Sequence, residues 1–191
     1  MNKIISNKNG IIISKNDNKE YNSEIYIQNN NINLKNKCDL NIFKYFLLFK
    51  QDFCEIIEFK KINENEVIML FVFKHFFCDI GFPHYYFYKK ITFEKINNDT
   101  IIFHLTNMNS ELPENVPPEI EDFLLDVIDI TFIFKDKNNI NCNIFIKVND
   151  FLEVHNFLEK IACLILNKII IILKYILENY HNLNNMNDNK L

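Results

Sequence analysis

Five histidines and five cysteines carry whatever capacity this chain has for metal binding or nucleophilic chemistry. His75, Cys78 and His84 lie closest together, and imidazole and thiolate are good zinc ligands. The run holding the first two reads as a strand, however, and residues three apart on a strand face opposite sides. No metal site is expected. Cys54, Cys78, Cys142 or Cys163 beside a histidine would pair a nucleophile with a base, yet no motif or turn presents any of them. Embedded in apolar runs and odd in number, the cysteines read as reduced core thiols of a cytoplasmic protein. With glycine only at Gly10 and Gly81, no phosphate loop, dinucleotide turn or GxSxG elbow can be built. Neither a catalytic set nor a cofactor is expected.

Other polar residues pose questions of orientation. His104 sits mid-strand, on the opposite side from Phe103 and Leu105; it is a candidate donor that orients a headgroup in a cavity, and otherwise faces solvent. Asp126 and Asp129 lie three apart in one strand-like run, so one should point inward, where an unpaired charge is costly. The acidic, proline-bearing linker from Glu111 to Asp122 either recruits a basic partner or is simply solvated. The aromatic cluster of Phe71, Phe73, Phe76, Phe77 and Tyr85 to Tyr88 reads as core, and as pocket too if the sheet is curved.

Composition narrows the partners. All 21 basic side chains are lysine, they are scattered, and the net charge is −4, so no basic face marks a nucleic-acid footprint. Arginine, the main bidentate reader of phosphate and guanine, is absent. With 48% hydrophobic residues the middle of the chain can bury one sizeable core. Residues 1–10 are polar and lack the apolar stretch of a signal peptide.

The elements that would position these residues follow from periodicity. Residues 1–37 form a polar, asparagine-rich segment whose islands Ile11 to Ile13 and Ile25 to Ile27 suit short edge strands. Asp39 is placed to cap a helix over Leu40 to Phe53, with Leu40, Phe43, Phe46 and Leu47 on its apolar side. Strands are predicted at Cys54 to Lys61, Glu66 to Phe77, Tyr85 to Ile96, Thr100 to Asn107, Phe123 to Lys135 and Ile140 to Asn149. The turns at Asn63 to Asn65, Asn97 to Asp99 and Asp136 to Asn139 are hairpin-sized, so these neighbours are antiparallel. In the last strand Ile140, Cys142, Ile144, Ile146 and Val148 point one way and Asn141, Asn143, Lys147 and Asn149 the other, which predicts one buried face. Pro113, Pro117 and Pro118 make the intervening segment a crossing loop.

A helix is predicted from about Phe151 to Tyr180, roughly 45 Å long. Its polar residues Glu153, Asn156, Lys160, Asn167, Lys174 and Glu178 fall within a stripe of roughly 60°, with Lys168 outside it. So narrow a stripe requires cover on most sides. As a membrane span, Ile161 to Leu177 is short and carries Asn167, Lys168 and Lys174. Residues 182–191 read as a disordered polar tail.

This order of elements resembles the α+β helix-grip fold, in which a curved antiparallel sheet wraps a long C-terminal helix, and within it the StAR-related lipid-transfer (START) domains of the Bet v 1-like superfamily. The resemblance spans 38–181. It rests on Phe82-Pro83-His84-Tyr85-Tyr86-Phe87-Tyr88 leading into Lys89-Lys90, on the hairpin Phe93 to Phe103, on Leu105-Thr106-Asn107 before Leu112 to Pro117, and on the last hairpin, Ile130 to Val148 with Asn149-Asp150. The family's N-terminal helix has no counterpart, and its common tryptophans and arginines are absent, so contacts made by those arginines do not carry over. The resemblance implies a hydrophobic cavity that binds a phospholipid, sterol or other apolar molecule and passes it between membranes through transient contact. The expected lining is Met69, Phe71, Phe73, Phe87, Phe103, His104, Leu105, Ile144, Ile146, Phe157 and Ile161. The alternative is a non-enzymatic adaptor or cochaperone-like domain of the same fold with no open cavity.

Overall fold

A computed structural model describes residues 3–8, 10–18, 20–75, 83–108, 112–114, 116–117, 119–123, 125–148 and 156–187, without the side chains of 51, 156–162 and 184–187. Phe76, Phe77 and Cys78 lie outside the described residues, as do 151–155 at the predicted start of the closing helix.

Ten strands form one sheet: β1 (Lys3–Lys8), β2 (Ile11–Lys15), β3 (Glu20–Gln28), β4 (Cys54–Asn63), β5 (Glu66–Phe73), β6 (Tyr85–Asn97), β7 (Thr100–Asn107), β8 (Glu121–Asp122), β9 (Leu125–Phe134) and β10 (Asn139–Val148). Nine follow the order β1-β2-β3-β10-β9-β7-β6-β5-β4, all neighbours antiparallel, while β8 pairs with the start of β6 in parallel. The three turns predicted from asparagine and aspartate close the hairpins β4–β5, β6–β7 and β9–β10. In each, the first side chain accepts from the backbone N–H two residues on: Asn63 from Asn65 at 2.8 Å, Asn97 from Asp99 at 2.8 Å, and Asp136 from Asn138 at 2.7 Å.

The N-terminal segment is not separable from the rest. β3 pairs with β10 along nine positions, and Ile11, Ile13, Ile25 and Ile27 are buried in the main core. The boundary expected at 37/38 therefore runs through a continuous sheet and core.

Between β3 and β4 the helix expected over Leu40 to Phe53 is a 3₁₀ helix, Leu40–Phe49, followed by one α-turn, α1 (Lys50–Phe53). Leu40, Phe43 and Phe46 recur every three residues, the 3₁₀ period, and all three are buried. Asp39 caps it, accepting from Asn41 N–H at 2.8 Å.

The linker expected to be a solvated loop has a packing role. Its Val116 and Ile120 are buried against Leu70 and Val72 on the outer side of β5. That cover explains why β5 reads as a nearly continuous apolar run rather than an alternating one.

Across the inner face lies α2 (Asn156–Glu178), continued by α3 (Tyr180–Asn187). Helix thus replaces the disordered tail expected from 182 as far as Asn187, because Tyr180 and Leu183 reach the core. Tyr45 stacks edge-on against Tyr180 at 5.1 Å and Phe49 against Tyr175 at 5.6 Å, which fastens the 3₁₀ helix to the closing helices. Asn29, buried after β3, donates to the Leu177 carbonyl at 2.8 Å, satisfying one of the carbonyls freed at the end of α2. No helix among the described residues is long and apolar enough to cross a membrane.

Candidate ligand cavity and its buried lysine

Curvature of the sheet around α2 leaves a void between them, enclosed by residues of the 3₁₀ helix, β5, β6, β7, β9, β10 and α2. Every lining side chain is apolar. Phe43 and Phe46 enter from the 3₁₀ helix, and Leu166, Ile169, Ile170 and Leu173 from α2. The volume is about 50 Å³, well below the roughly 300–1,000 Å³ of pockets that hold drug-sized ligands. An apolar space of this kind stays dry.

Six of the expected residues line it: Met69, Phe71, Phe87, Leu105, Ile144 and Ile146. Phe73 and Phe103 are buried but not at the wall. Phe73 packs between Phe53 and Phe123, and Phe103 between Phe43 and Phe132. Phe157 and Ile161 belong to α2, with side chains outside the described residues.

His104 is a correction. Strand alternation that sends Phe103 and Leu105 inward sends His104 to the outer face. There its Nδ1 meets Asp129 Oδ1 at 2.8 Å and its Nε2 meets Glu94 Oε2 at 3.3 Å. Partial burial disfavours the charged ring, but the two carboxylates outweigh it and raise the His104 pKa above its usual value.

Neither aspartate of β9 points into the core. The register slips between Lys147 and Val148, so that Leu125 and Val127 pair with successive residues and Asp126 is extra. This bulge lets Leu125 and Ile128 both face inward while Asp126 and Asp129 stay only half-buried.

What escaped sequence reasoning is Lys89. It follows Phe87 and precedes Ile91 on the inward row of β6, and it is fully buried. Its Nζ donates to the Leu125 carbonyl and sits 5.1 Å from the Phe87 ring centroid. Desolvation pushes its pKa down to about 8, against the upward pull of Asp122 and Asp126. Asp122 is itself raised by burial, and its Oδ1 has no hydrogen-bond partner among the described residues. The signal was present in the alternation, since a residue flanked at two positions by inward aromatics and aliphatics must itself face inward.

The other candidates do not converge. His75 and His84 stack with ring centroids 5.0 Å apart, and His84 Nε2 is 2.6 Å from the Phe73 carbonyl. Among the described residues no group of three possible ligands could hold a metal. Cys54 and Cys142 are buried, and desolvation pushes both thiols well up, leaving them neutral and poorly nucleophilic.

No protein-family model matches the chain, and no curated protein matches it in sequence. Solved structures do match it in fold. Human StAR-related lipid transfer protein 5 superposes with a TM-score of 0.66 at 13% identity, covering 94% of this chain and 88% of that one. Human STARD10 gives 0.61 at 6%, covering 95% and 74%. A STAR-related lipid transfer protein fragment from Xanthomonas axonopodis gives 0.59 at 11%, covering 94% and 97%. With its meander closed by β10 on β3 and a helix laid across the inner face, the chain has the helix-grip fold of the StAR-related lipid-transfer domains.

Proposed function

We propose that the protein binds an elongated apolar molecule, a phospholipid, sterol or similar lipid, between the sheet and α2, and exchanges it with a membrane. The observation that carries this reading is a wholly apolar wall, drawn from five strands and two helices, around a space that the side chains leave unfilled. The relatives in fold are named for lipid transfer, which supports the same class of ligand. Burial of ligand surface at about 25 cal/mol per Å² supplies the affinity, so a long chain needs little polar help.

A space of about 50 Å³ demands that the wall move outward as the ligand enters. The mobile part is α2, which no ladder hydrogen bonds tie to the strands. Its outer line carries apolar side chains on either side of a lysine: Leu164 is 49% and Tyr175 47% exposed, with Lys168 between them. Phe49 joins Tyr175 to the exposed Leu47 and Leu48, giving a patch with which the helix contacts a bilayer surface as it opens. Among the described residues Cys38, Cys54 and Cys142 are buried thiols outside any disulfide, which suits a reducing compartment, the cytoplasm.

The small volume favours a second reading, a filled domain that acts as an adaptor through its surface. Native mass spectrometry and solvent extraction of protein purified from cells separate the two. Transfer predicts a reproducible lipid at one per chain, or saturable uptake of fluorescent phospholipid or sterol by stripped protein. Absence of both supports the adaptor.

A further inference from the structure

We propose that the outer face of the sheet carries a second binding site, a polar groove over β3 and β10 that takes a neutral, hydroxyl-rich ligand, a saccharide. This site does not depend on the lipid reading, because the groove and the apolar void lie on opposite faces of the same sheet. Strand alternation that turns Tyr21, Ile25, Ile144 and Ile146 inward turns Asn22, Glu24, Tyr26, Asn141, Asn143 and Phe145 outward. The outward side chains meet in register: Tyr26 is opposite Asn141, Glu24 opposite Asn143 and Asn22 opposite Phe145, with Thr131 of β9 on the other side of Asn143. With Ile12 and Ser14 of β2 they line a groove of about 670 Å³, within the roughly 300–1,000 Å³ of pockets that hold small molecules. Val116 and Ile120 of the linker cover the outer side of β5, but neither lines this groove.

The chemistry of the lining selects the ligand. A side-chain amide offers two donors and an acceptor, and a sugar hydroxyl both donates and accepts, so Asn22, Asn141 and Asn143 suit hydroxyls in either sense. Among the described residues no hydrogen bond or ion pair within the protein engages the side chains of these three or of Glu24 and Thr131. The amides and Thr131 are half-buried, which orients them while leaving their polar atoms to a ligand. Neighbouring positions lie about 4.8 Å apart across strands and about 7 Å apart along them, a grid that one or two sugar rings span. The Tyr26 hydroxyl donates to Asn139 Oδ1, which holds a half-exposed aromatic ring at the edge of the groove for stacking on the apolar face of a sugar. No lysine lines the groove and Glu24 does, so phosphate- and carboxylate-bearing ligands are disfavoured. A lipid chain would strip water from the amides without replacing its hydrogen bonds, so this groove and the inner void select different classes of ligand.

The test uses the full chain, isotopically labelled for amide NMR, with cellopentaose, maltopentaose and triacetylchitotriose as probes and an array of neutral glycans for breadth. The expected result is saturable binding of at least one of them, with the side-chain amide resonances of Asn22, Asn141 and Asn143 shifting together. Asn143→Thr, a strand-compatible change on the outward face, should weaken that binding about tenfold and leave phospholipid uptake unchanged. If the variant does not fold, the wild-type amide shifts decide. Binding of no neutral glycan overturns the proposal, as does binding that spares the three amides or survives in a folded Asn143→Thr. Preference for a sulfated or sialylated glycan over its neutral parent overturns the class of ligand. Lipid uptake without saccharide binding removes the groove and leaves the lipid cavity standing, whereas saccharide binding without lipid uptake does the reverse.

Discussion

His104 and Lys89 sit on opposite faces of the sheet and answer pH in opposite directions. His104 is a raised group: its bonds to Asp129 and Glu94 contribute stability that is fully present below the unfolded value near 6.5 and is lost as pH rises through the higher folded value. In chemical denaturation, wild type should exceed His104→Gln by about 0.5 kcal/mol at pH 5.5, the scale of a partly exposed pair, and by less at pH 9. A gap that grows with pH would show that the bridge does not hold the ring charged. Lys89 is a lowered group, so the unfolded chain binds more protons between about 8 and 10.5, and stability rises across that window. A drop from 10.5 to about 8 holds about 3 kcal/mol against the buried charge at neutral pH. Lys89→Met removes that cost but leaves the Leu125 carbonyl unpaired, at about 1 kcal/mol. The variant should gain about 2 kcal/mol at pH 7 in urea denaturation, with the gain shrinking toward pH 10. Equal stability at both pH values would mean that the ammonium is solvated. Both side chains were legible from alternation once their neighbours' facing was fixed. The partners of His104 were not, because they come from β6 and β9, whose register no single strand reveals.

At the scale of elements, periodicity predicted α2 but misplaced its wet side. The stripe drawn through Asn167, Lys174 and Glu178 is rotated from the exposed line, which runs through Leu164, Lys168 and Tyr175, and Asn167 is only 5% exposed. Polarity guided the prediction, whereas the helix orients by packing Leu166, Ile170, Leu173 and Leu177 into the core. Asn167 is left with an Oδ1 that has no hydrogen-bond partner among the described residues. Asn167→Leu should therefore raise stability by about 1–2 kcal/mol, checked by the urea midpoint at constant m-value. A loss instead would show that the amide is satisfied when α2 moves. The same distinction explains the linker, where charges and prolines suggested solvent while Val116 and Ile120 do the packing. In β9 strict alternation failed because a bulge, invisible in residue types, reset the facing of Leu125.

For the whole molecule, the hairpins and the closing helix were readable because each is local: asparagine and aspartate turns set the pairing of β4 with β5, β6 with β7 and β9 with β10. Pairing of β3 with β10 joins residues more than a hundred positions apart, and no local signal announced that the N-terminal segment completes the sheet. The wall of the cavity was partly legible, through inward rows such as Ile144 and Ile146, but its size was not, since volume depends on how α2 seats against all the rows at once. Whether that space is a seat for ligand is the central question, and Ile146 stands at its wall. Binding of a nitrobenzoxadiazole-labelled fatty-acyl phospholipid to stripped protein should saturate at one per chain with a blue-shifted emission. Ile146→Trp, filling the void, should cut uptake at least tenfold while the thermal midpoint stays within a few degrees of wild type. Undiminished uptake by a folded Ile146→Trp would place the lipid elsewhere, and unfolding of the variant would show a core already full.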